Sequence, residues 1–89
     1  MYIVYSTKGN IQPPKAQFRN GEETVGQVQM FISKRLKRTY LYLFVTKGAE
    51  SFIPTPDQTL ENLLALYGSE DPDKTRYLSI TLSDAIFQG

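Results

Sequence analysis

The chain has 89 residues, of which 40% are hydrophobic and 21% charged, with a net charge of +1 and neither cysteine nor histidine. A chain of this length forms one domain with a small core. The two missing residue types exclude disulfides, most zinc sites and most nucleophile–base pairs. No stretch approaches the ~18 apolar residues of a membrane-spanning helix, and the start lacks signal-peptide features. We therefore predict a cytosolic protein that is not an enzyme and needs no cofactor or metal.

Charge is divided unevenly along the chain. Residues 1–38 carry a net charge of +5, and residues 39–89 carry −4. The cations concentrate at residues 34–38, in a segment with helical periodicity. Cations in the last turn of a helix complement its dipole. We therefore favour a solvated helix end over a nucleic-acid or lipid-binding site.

The first elements predicted are a hairpin and a helix. Aromatic and β-branched residues at 2–6, and a second short run at 16–19, predict two strands. After a turn, apolar residues recur at helical spacing through residues 24–38. Within this helix, Gly26 either costs about 1 kcal/mol relative to alanine or permits a strand to pack closely.

The clearest strand is predicted at residues 40–45, YLYLFV. Alternation places three aliphatic side chains on one face and three aromatic side chains on the other. The aromatic face either covers a neighbouring segment of the same chain or forms a docking surface for another protein. The aliphatic residues are Leu41, Leu43 and Val45, and the aromatic residues are Tyr40, Tyr42 and Phe44.

A short helix and a last strand complete the predicted elements. Thr55 as cap, Pro56 at the first helical position and Gln58 reaching back are typical of a helix start. Gly68 suits a left-handed stop at the other end of this helix. After an acidic turn, residues 77–82 alternate as a half-buried strand.

This order of elements predicts an α+β fold of the β-grasp, or ubiquitin-like, type. Its four-stranded mixed sheet has one main helix and a second short helix on one face. Right-handed crossover geometry places the last strand beside the first, in the middle of the sheet. We expect a domain over residues 1–82 and a C-terminal tail over residues 83–89 that ends in glycine.

Several segments carry motifs of one known family. The most specific is FIPTPDQ at residues 52–58, and LYLFV at residues 41–45, FISKRLK at residues 31–37 and the aromatic Phe18 fit the same pattern. Together with the terminal Gly89, they resemble the family of autophagy protein twelve, a ubiquitin-like modifier of autophagy. That family has a Phe-Ala-Pro-Ser-Pro-Asp segment where this chain has FIPTPD. The chain departs from the family at its end, where Gln88 stands in place of an aromatic residue.

The resemblance implies a protein that is joined to another through its own C-terminus. Gly89 would be activated by an E1-like enzyme, passed to an E2-like enzyme and joined by an isopeptide bond to a lysine of autophagy protein five. The conjugate would promote attachment of the sister modifier to lipid. It would act in the cytoplasm and peripherally at forming autophagosomal membranes.

The same resemblance implies a surface that recruits the second E2-like enzyme, which serves lipid conjugation. Phe52 matches an aromatic residue of that surface, and we expect Phe18 near it. Tyr42 and Phe44 are further candidates for partner binding, from the aromatic strand face. The alternative for Phe52 is that it packs on the first turn of the following helix.

A second interpretation of the chain is a β-grasp adaptor that docks without a covalent bond, or an autophagy protein that assembles with its partner without such a bond. Fold alone does not decide between the two, because function belongs to sites placed on a fold. In the adaptor, the aromatic residues bind the partner and Gly89 takes no part. Neither interpretation requires a nucleic acid or direct insertion into a membrane.

Overall fold

A computed structural model of the protein describes residues 1–38 and 41–84. The described residues form two helices and six strands, two strands more than predicted. In chain order, these are β1 Tyr2–Lys8, β2 Gln17–Phe18, α1 Val25–Leu36, β3 Tyr42–Lys47, β4 Glu50–Phe52, α2 Leu60–Tyr67, β5 Ser69–Glu70 and β6 Arg76–Ser83. Neither of these helices is long and apolar enough to cross a bilayer.

The two additional strands are short and pair next to predicted ones. Strand β4 folds back on β3 across a tight turn, where Gly48 has a φ of 62°. Glycine adopts this left-handed conformation without steric cost, so the chain can reverse direction here. Strand β5 pairs with the beginning of β6.

The sheet has the strand order β2-β1-β6-β3-β4. Strands β1 and β6 are parallel and pair from Tyr2 with Tyr77 to Lys8 with Ser83, whereas the other pairs are antiparallel. The first and last strands therefore lie side by side in the middle of the sheet, as predicted. This confirms the α+β, ubiquitin-like β-grasp class.

The hydrophobic core lies on one face of the sheet, the face that carries the helices. Alternation along β6 turns Leu78, Ile80 and Leu82 inward, and each is at most 1% exposed. The two helices contribute buried residues from their apolar sides. These are Val25, Val28 and Ile32 from α1 and Leu60 and Leu63 from α2.

The main helix begins and ends with local signals that the sequence contains. Thr24 and Gln27 form a capping box, in which the Thr24 N–H donates to Gln27 Oε1 at 2.8 Å and the Gln27 N–H donates to Thr24 Oγ1 at 3.3 Å. Lys34 and Arg35 lie in the last turn of α1. This position supports the interpretation of the basic cluster as a helix end.

The segment predicted to start the second helix forms a separate turn. The Thr55 N–H donates to Gln58 Oε1 at 2.9 Å, which is the expected reciprocal capping contact. The helix itself begins later, at Leu60, with Thr59 as its cap. The predicted start at Thr55 and Pro56 is therefore wrong by several residues.

Tertiary hydrogen bonds explain the delayed start. The Gly26 N–H donates to Pro56 O, and the Val25 N–H donates to Gln58 O, each at 2.9 Å. Such N–H groups at a helix start have no partner within their own helix, so the turn satisfies them. A Cβ on Gly26 would lie 3.3 Å from Pro56 O. Gly26 therefore permits close packing, of a turn rather than of a strand.

Gly68 ends α2 in a different way from the predicted left-handed stop. Its backbone is extended, with φ −65° and ψ 150°. The Gly68 N–H donates to Leu64 O at 2.9 Å, and a Cβ would lie only 2.4 Å from that oxygen. Space, rather than backbone conformation, favours glycine at this position.

Candidate functional site

Phe52 lies on edge strand β4, on the face of the sheet that carries the helices. Its Cα partner across the pair is Val45, which is fully buried. The half-buried Phe52 ring packs on the Tyr67 ring, with centroids 4.6 Å apart and planes at 58°. Because Tyr67 is the last residue of α2, Phe52 supports the end of this helix rather than its first turn. Phe52 as a whole is only partly buried, and Ile53, which follows it, is exposed.

Phe18 lies on the opposite edge of the sheet, on strand β2. Its side chain is 76% exposed, and its ring packs on Tyr2 with centroids 4.8 Å apart. Strands β1, β6 and β3 separate β2 from β4, so at ~4.8 Å per strand these edges are about 19 Å apart. The expectation that Phe18 lies near Phe52 is therefore wrong, because each belongs to a different edge strand.

Tyr42 and Phe44 point to the outer face of β3, opposite the core, as alternation predicted. Tyr42 is half-buried, but Phe44 is only 4% exposed. The residue is therefore covered by other parts of the protein, although it lies on the face opposite the core. For Phe44 the intramolecular alternative holds, and its burial argues against a docking role. Tyr40, the third aromatic residue of this face, lies outside the described residues.

A row of hydroxyl groups crosses the outer face of the sheet. Thr81 Oγ1 lies 2.8 Å from Ser6 Oγ and 2.8 Å from Thr46 Oγ1, and Thr46 Oγ1 lies 3.3 Å from Ser51 Oγ. The four residues belong to the neighbouring strands β1, β6, β3 and β4. These hydrogen bonds join the strands and make this part of the outer face polar.

The structure reveals an aromatic group that the sequence analysis missed. Phe18 pairs with Tyr2, and Tyr2 pairs with Tyr77, so the three rings lie on neighbouring strands. We call these residues the outer aromatic row. Tyr2 and Tyr77 are half-buried, and Phe18 is mostly exposed. The signal was present, since parallel first and last strands bring together the tyrosines at their starts.

The outer aromatic row and Tyr42 lie at different ends of the strands. Tyr42 pairs with Ser83 near the end of β6, whereas Tyr77 lies near its beginning. Six residues of a strand span about 20 Å. Of the predicted partner-binding residues, Phe52, Phe18 and Tyr42 therefore lie at three separate places and form no common surface.

A narrow cleft lies between the hairpin and α1. Its volume is about 140 Å³, below the ~300 Å³ at which small-molecule sites begin. Among the described residues, no three side chains able to bind a metal come together. The residues that line the cleft are Pro14, Lys15, Ala16, Gln17, Phe31, Ile32 and Arg35.

The shifted pKa values lie away from the candidate surfaces. Burial raises the pKa of Tyr5, whose hydroxyl accepts a hydrogen bond from Gln17 Nε2 at 2.7 Å. The Thr75 N–H, donating at 3.0 Å, lowers the pKa of the exposed Asp73 carboxyl in the acidic turn. Tyr5 is a core residue and Asp73 a solvated one, so neither shift indicates a catalytic site.

The predicted reactive residue, Gly89, lies outside the described residues, as do all of residues 85–89. The structure shows the strand that leads to it. Strand β6 ends at Ser83, which pairs with Lys8 of β1 on one side and with Tyr42 of β3 on the other. The root of the C-terminal tail is therefore held by strands on both sides, in the middle of the sheet.

Comparison with known families agrees with this fold and with the sequence motifs. A family model described as the ubiquitin-like autophagy protein Apg12 matches residues 7–87. No curated protein matches the chain. The family match covers both helices and most of the sheet, together with the FIPTPDQ segment, and it confirms the predicted family. The chain therefore belongs to the Apg12 family of ubiquitin-like autophagy proteins.

Proposed function

We propose that this protein is a ubiquitin-like modifier that is joined through Gly89 to a lysine of autophagy protein five. The observation that carries the proposal is the family match over residues 7–87, which reaches almost to this glycine. The central position of β6 adds support, because it holds the root of the tail firmly. The predicted domain over residues 1–82, which β6 extends to Ser83, then presents the remainder of the predicted tail of residues 83–89 to the enzymes.

In this proposal the reactive group is the main-chain carboxylate of Gly89. The Gly89 carboxylate attacks the α-phosphate of ATP, which forms an acyl adenylate and releases pyrophosphate. A thiol of the E1-like enzyme displaces AMP, and a thiol of the E2-like enzyme then takes the acyl group. The lysine amine of autophagy protein five releases that thiol and forms the isopeptide bond. Glycine suits these steps because no Cβ crowds the reacting carbonyl.

This protein is thus the substrate of the enzymes and contributes no catalytic side chain. The conjugate promotes attachment of the sister modifier to phosphatidylethanolamine by recruiting a second E2-like enzyme. Phe52 is the best candidate for this contact, because its ring is held against Tyr67 while the residue is only partly buried. The conjugate acts in the cytoplasm and peripherally at forming autophagosomal membranes.

The second candidate function is a β-grasp adaptor that assembles with its autophagy partner without a covalent bond. The outer aromatic row favours it, since Phe18 is mostly exposed on an edge strand. Exposed aromatic residues are enriched where proteins bind each other. In this case Gly89 takes no part in the function.

Reconstitution distinguishes the two functions. We expect the chain, ATP, the E1-like and E2-like enzymes and autophagy protein five to give a product that survives reducing agent. The mass of the acceptor should rise by nearly the 10.1 kDa of this chain. Thioesters on both enzymes should disappear when a thiol is added. A tight complex without thioester or isopeptide product contradicts the modifier and supports the adaptor.

Phe52→Ala is expected to weaken binding of the second E2-like enzyme by roughly tenfold or more, as removal of a central aromatic contact does. It should also lower the unfolding temperature modestly, because the ring supports Tyr67. Calorimetric titration and thermal unfolding measure the two effects.

Two controls accompany this variant. Met30→Ala removes an exposed apolar side chain from α1 and should change neither quantity. Phe18→Ala tests whether the second E2-like enzyme binds at the opposite edge of the sheet. Unchanged affinity of Phe52→Ala with reduced stability would show that Phe52 only supports α2.

A further inference from the structure

The C-terminal tail starts where the two central strands separate. The parallel pairing of β1 and β6 ends at Lys8 and Ser83. The next residues, Gly9 and Asp84, are in close contact, because a Cβ on Gly9 would lie 2.2 Å from Asp84 Oδ1. Gly9 has a φ of 87°, a conformation that L side chains rarely adopt. The Asp84 carboxylate therefore occupies space that only glycine leaves open.

Two hydrogen bonds connect this contact to the rest of the domain. The Asn10 N–H donates to Asp84 Oδ2 at 3.3 Å. Arg38, which follows the end of α1, donates from its guanidinium to the Asn10 carbonyl oxygen. Asn10 thus links the root of the tail on one side to the end of the main helix on the other. We call Asp84, Gly9, Asn10 and Arg38 the tail-root clamp.

We propose that Asp84 is a positioning residue for activation of Gly89, because the clamp holds the first residue after Ser83, where strand pairing ends, and so sets the direction in which the tail leaves. This inference rests on the proposed function. Five residues follow Asp84, and a fully extended chain of that length reaches at most about 18 Å. An enzyme that binds the folded domain and Gly89 together needs the tail to start at a defined place. Correct placement of the reacting group accelerates a reaction strongly.

The location of the clamp favours positioning over a general role in stability. Asp84 is exposed, and its hydrogen bond with Asn10 lies at the surface. The buried residues of β6 that belong to the core precede it, the last being Leu82. Opening the clamp should therefore free Asp84 without unpacking the core.

The test compares Asp84→Ala with Asp84→Asn, which keeps an oxygen that can accept the Asn10 N–H. We expect Asp84→Ala to reduce the maximal rate of thioester formation on the E1-like enzyme severalfold, with little change in the KM for this protein. Asp84→Asn should restore most of the rate. Asp57→Asn is the matched control, because this exposed carboxylate lies in the turn beside the start of α1. Equal rates for Asp84→Ala and the wild type would overturn the proposal.

Gly9→Ala tests the same contact from the other strand, since its Cβ collides with the carboxylate. It should slow thioester formation as Asp84→Ala does, and the double variant should be no slower than the slower single variant. If the losses of rate from the two single variants combined independently in the double variant, they would contradict the clamp.

Amide hydrogen exchange provides a measurement that does not depend on the enzymes. Asp84→Ala should accelerate exchange at the Asn10 N–H severalfold while the unfolding temperature stays nearly unchanged. Unchanged exchange at Asn10 would overturn the clamp. If the wild type forms no thioester but Asn10 loses protection in Asp84→Ala, the clamp is supported and the proposed function has failed.

Discussion

Deletion of Gly89 is expected to reduce thioester formation and joining to autophagy protein five by roughly 100-fold or more. The deletion leaves Gln88 as the last residue and withdraws the terminal carboxylate by about 3.5 Å, the length of one extended residue. Displacing a reacting group by only ~1 Å can cost on the order of 100-fold in rate. The new terminus also carries a side chain beside the reacting carbonyl. Gel analysis with and without thiol follows both products.

The matched control is Gln88→Ala, which keeps the length of the tail and its terminal glycine. We expect this variant to react, because the proposed chemistry uses only the Gly89 carboxylate. Circular dichroism should show the same folded domain for both variants, since the described core ends before the tail. If the deletion variant were joined as efficiently as the wild type, Gly89 would not be the reactive residue.

Leu63→Ala is expected to lower the free energy of unfolding by about 2–5 kcal/mol, the cost of emptying a buried leucine site. Leu63 is 0% exposed and lies in α2. Small domains have only about 5–15 kcal/mol of stability, so this variant should unfold at a much lower temperature. Chemical denaturation followed by circular dichroism measures the change.

Leu66→Ala is the control, because it makes the same replacement in the same helix at a position that is 56% exposed. Both variants share any change in helix propensity, so the difference between them reports burial. We expect Leu66→Ala to change stability by no more than ~0.5 kcal/mol. Equal losses in the two variants would contradict the position of α2 against the core.

The sequence indicated single residues of the candidate site, but not how these residues are arranged in space. The family motifs indicated Phe52 and Gly89, and strand periodicity indicated that Tyr42 and Phe44 share a face. The distance between Phe18 and Phe52 could not be predicted, because it depends on the order of strands across the sheet. The burial of Phe44 likewise depends on which parts of the folded chain cover its face of β3.

The sequence by itself determined the family, the fold class and the elements with strong local patterns. The apolar spacing of α1 and the alternation of β6 are patterns of neighbouring residues, so the sequence alone shows them. Only the tertiary structure decided where α2 begins. The carbonyls of Pro56 and Gln58 accept hydrogen bonds from N–H groups at the start of α1. These donors lie about thirty residues earlier in the chain, so patterns of neighbouring residues do not indicate them.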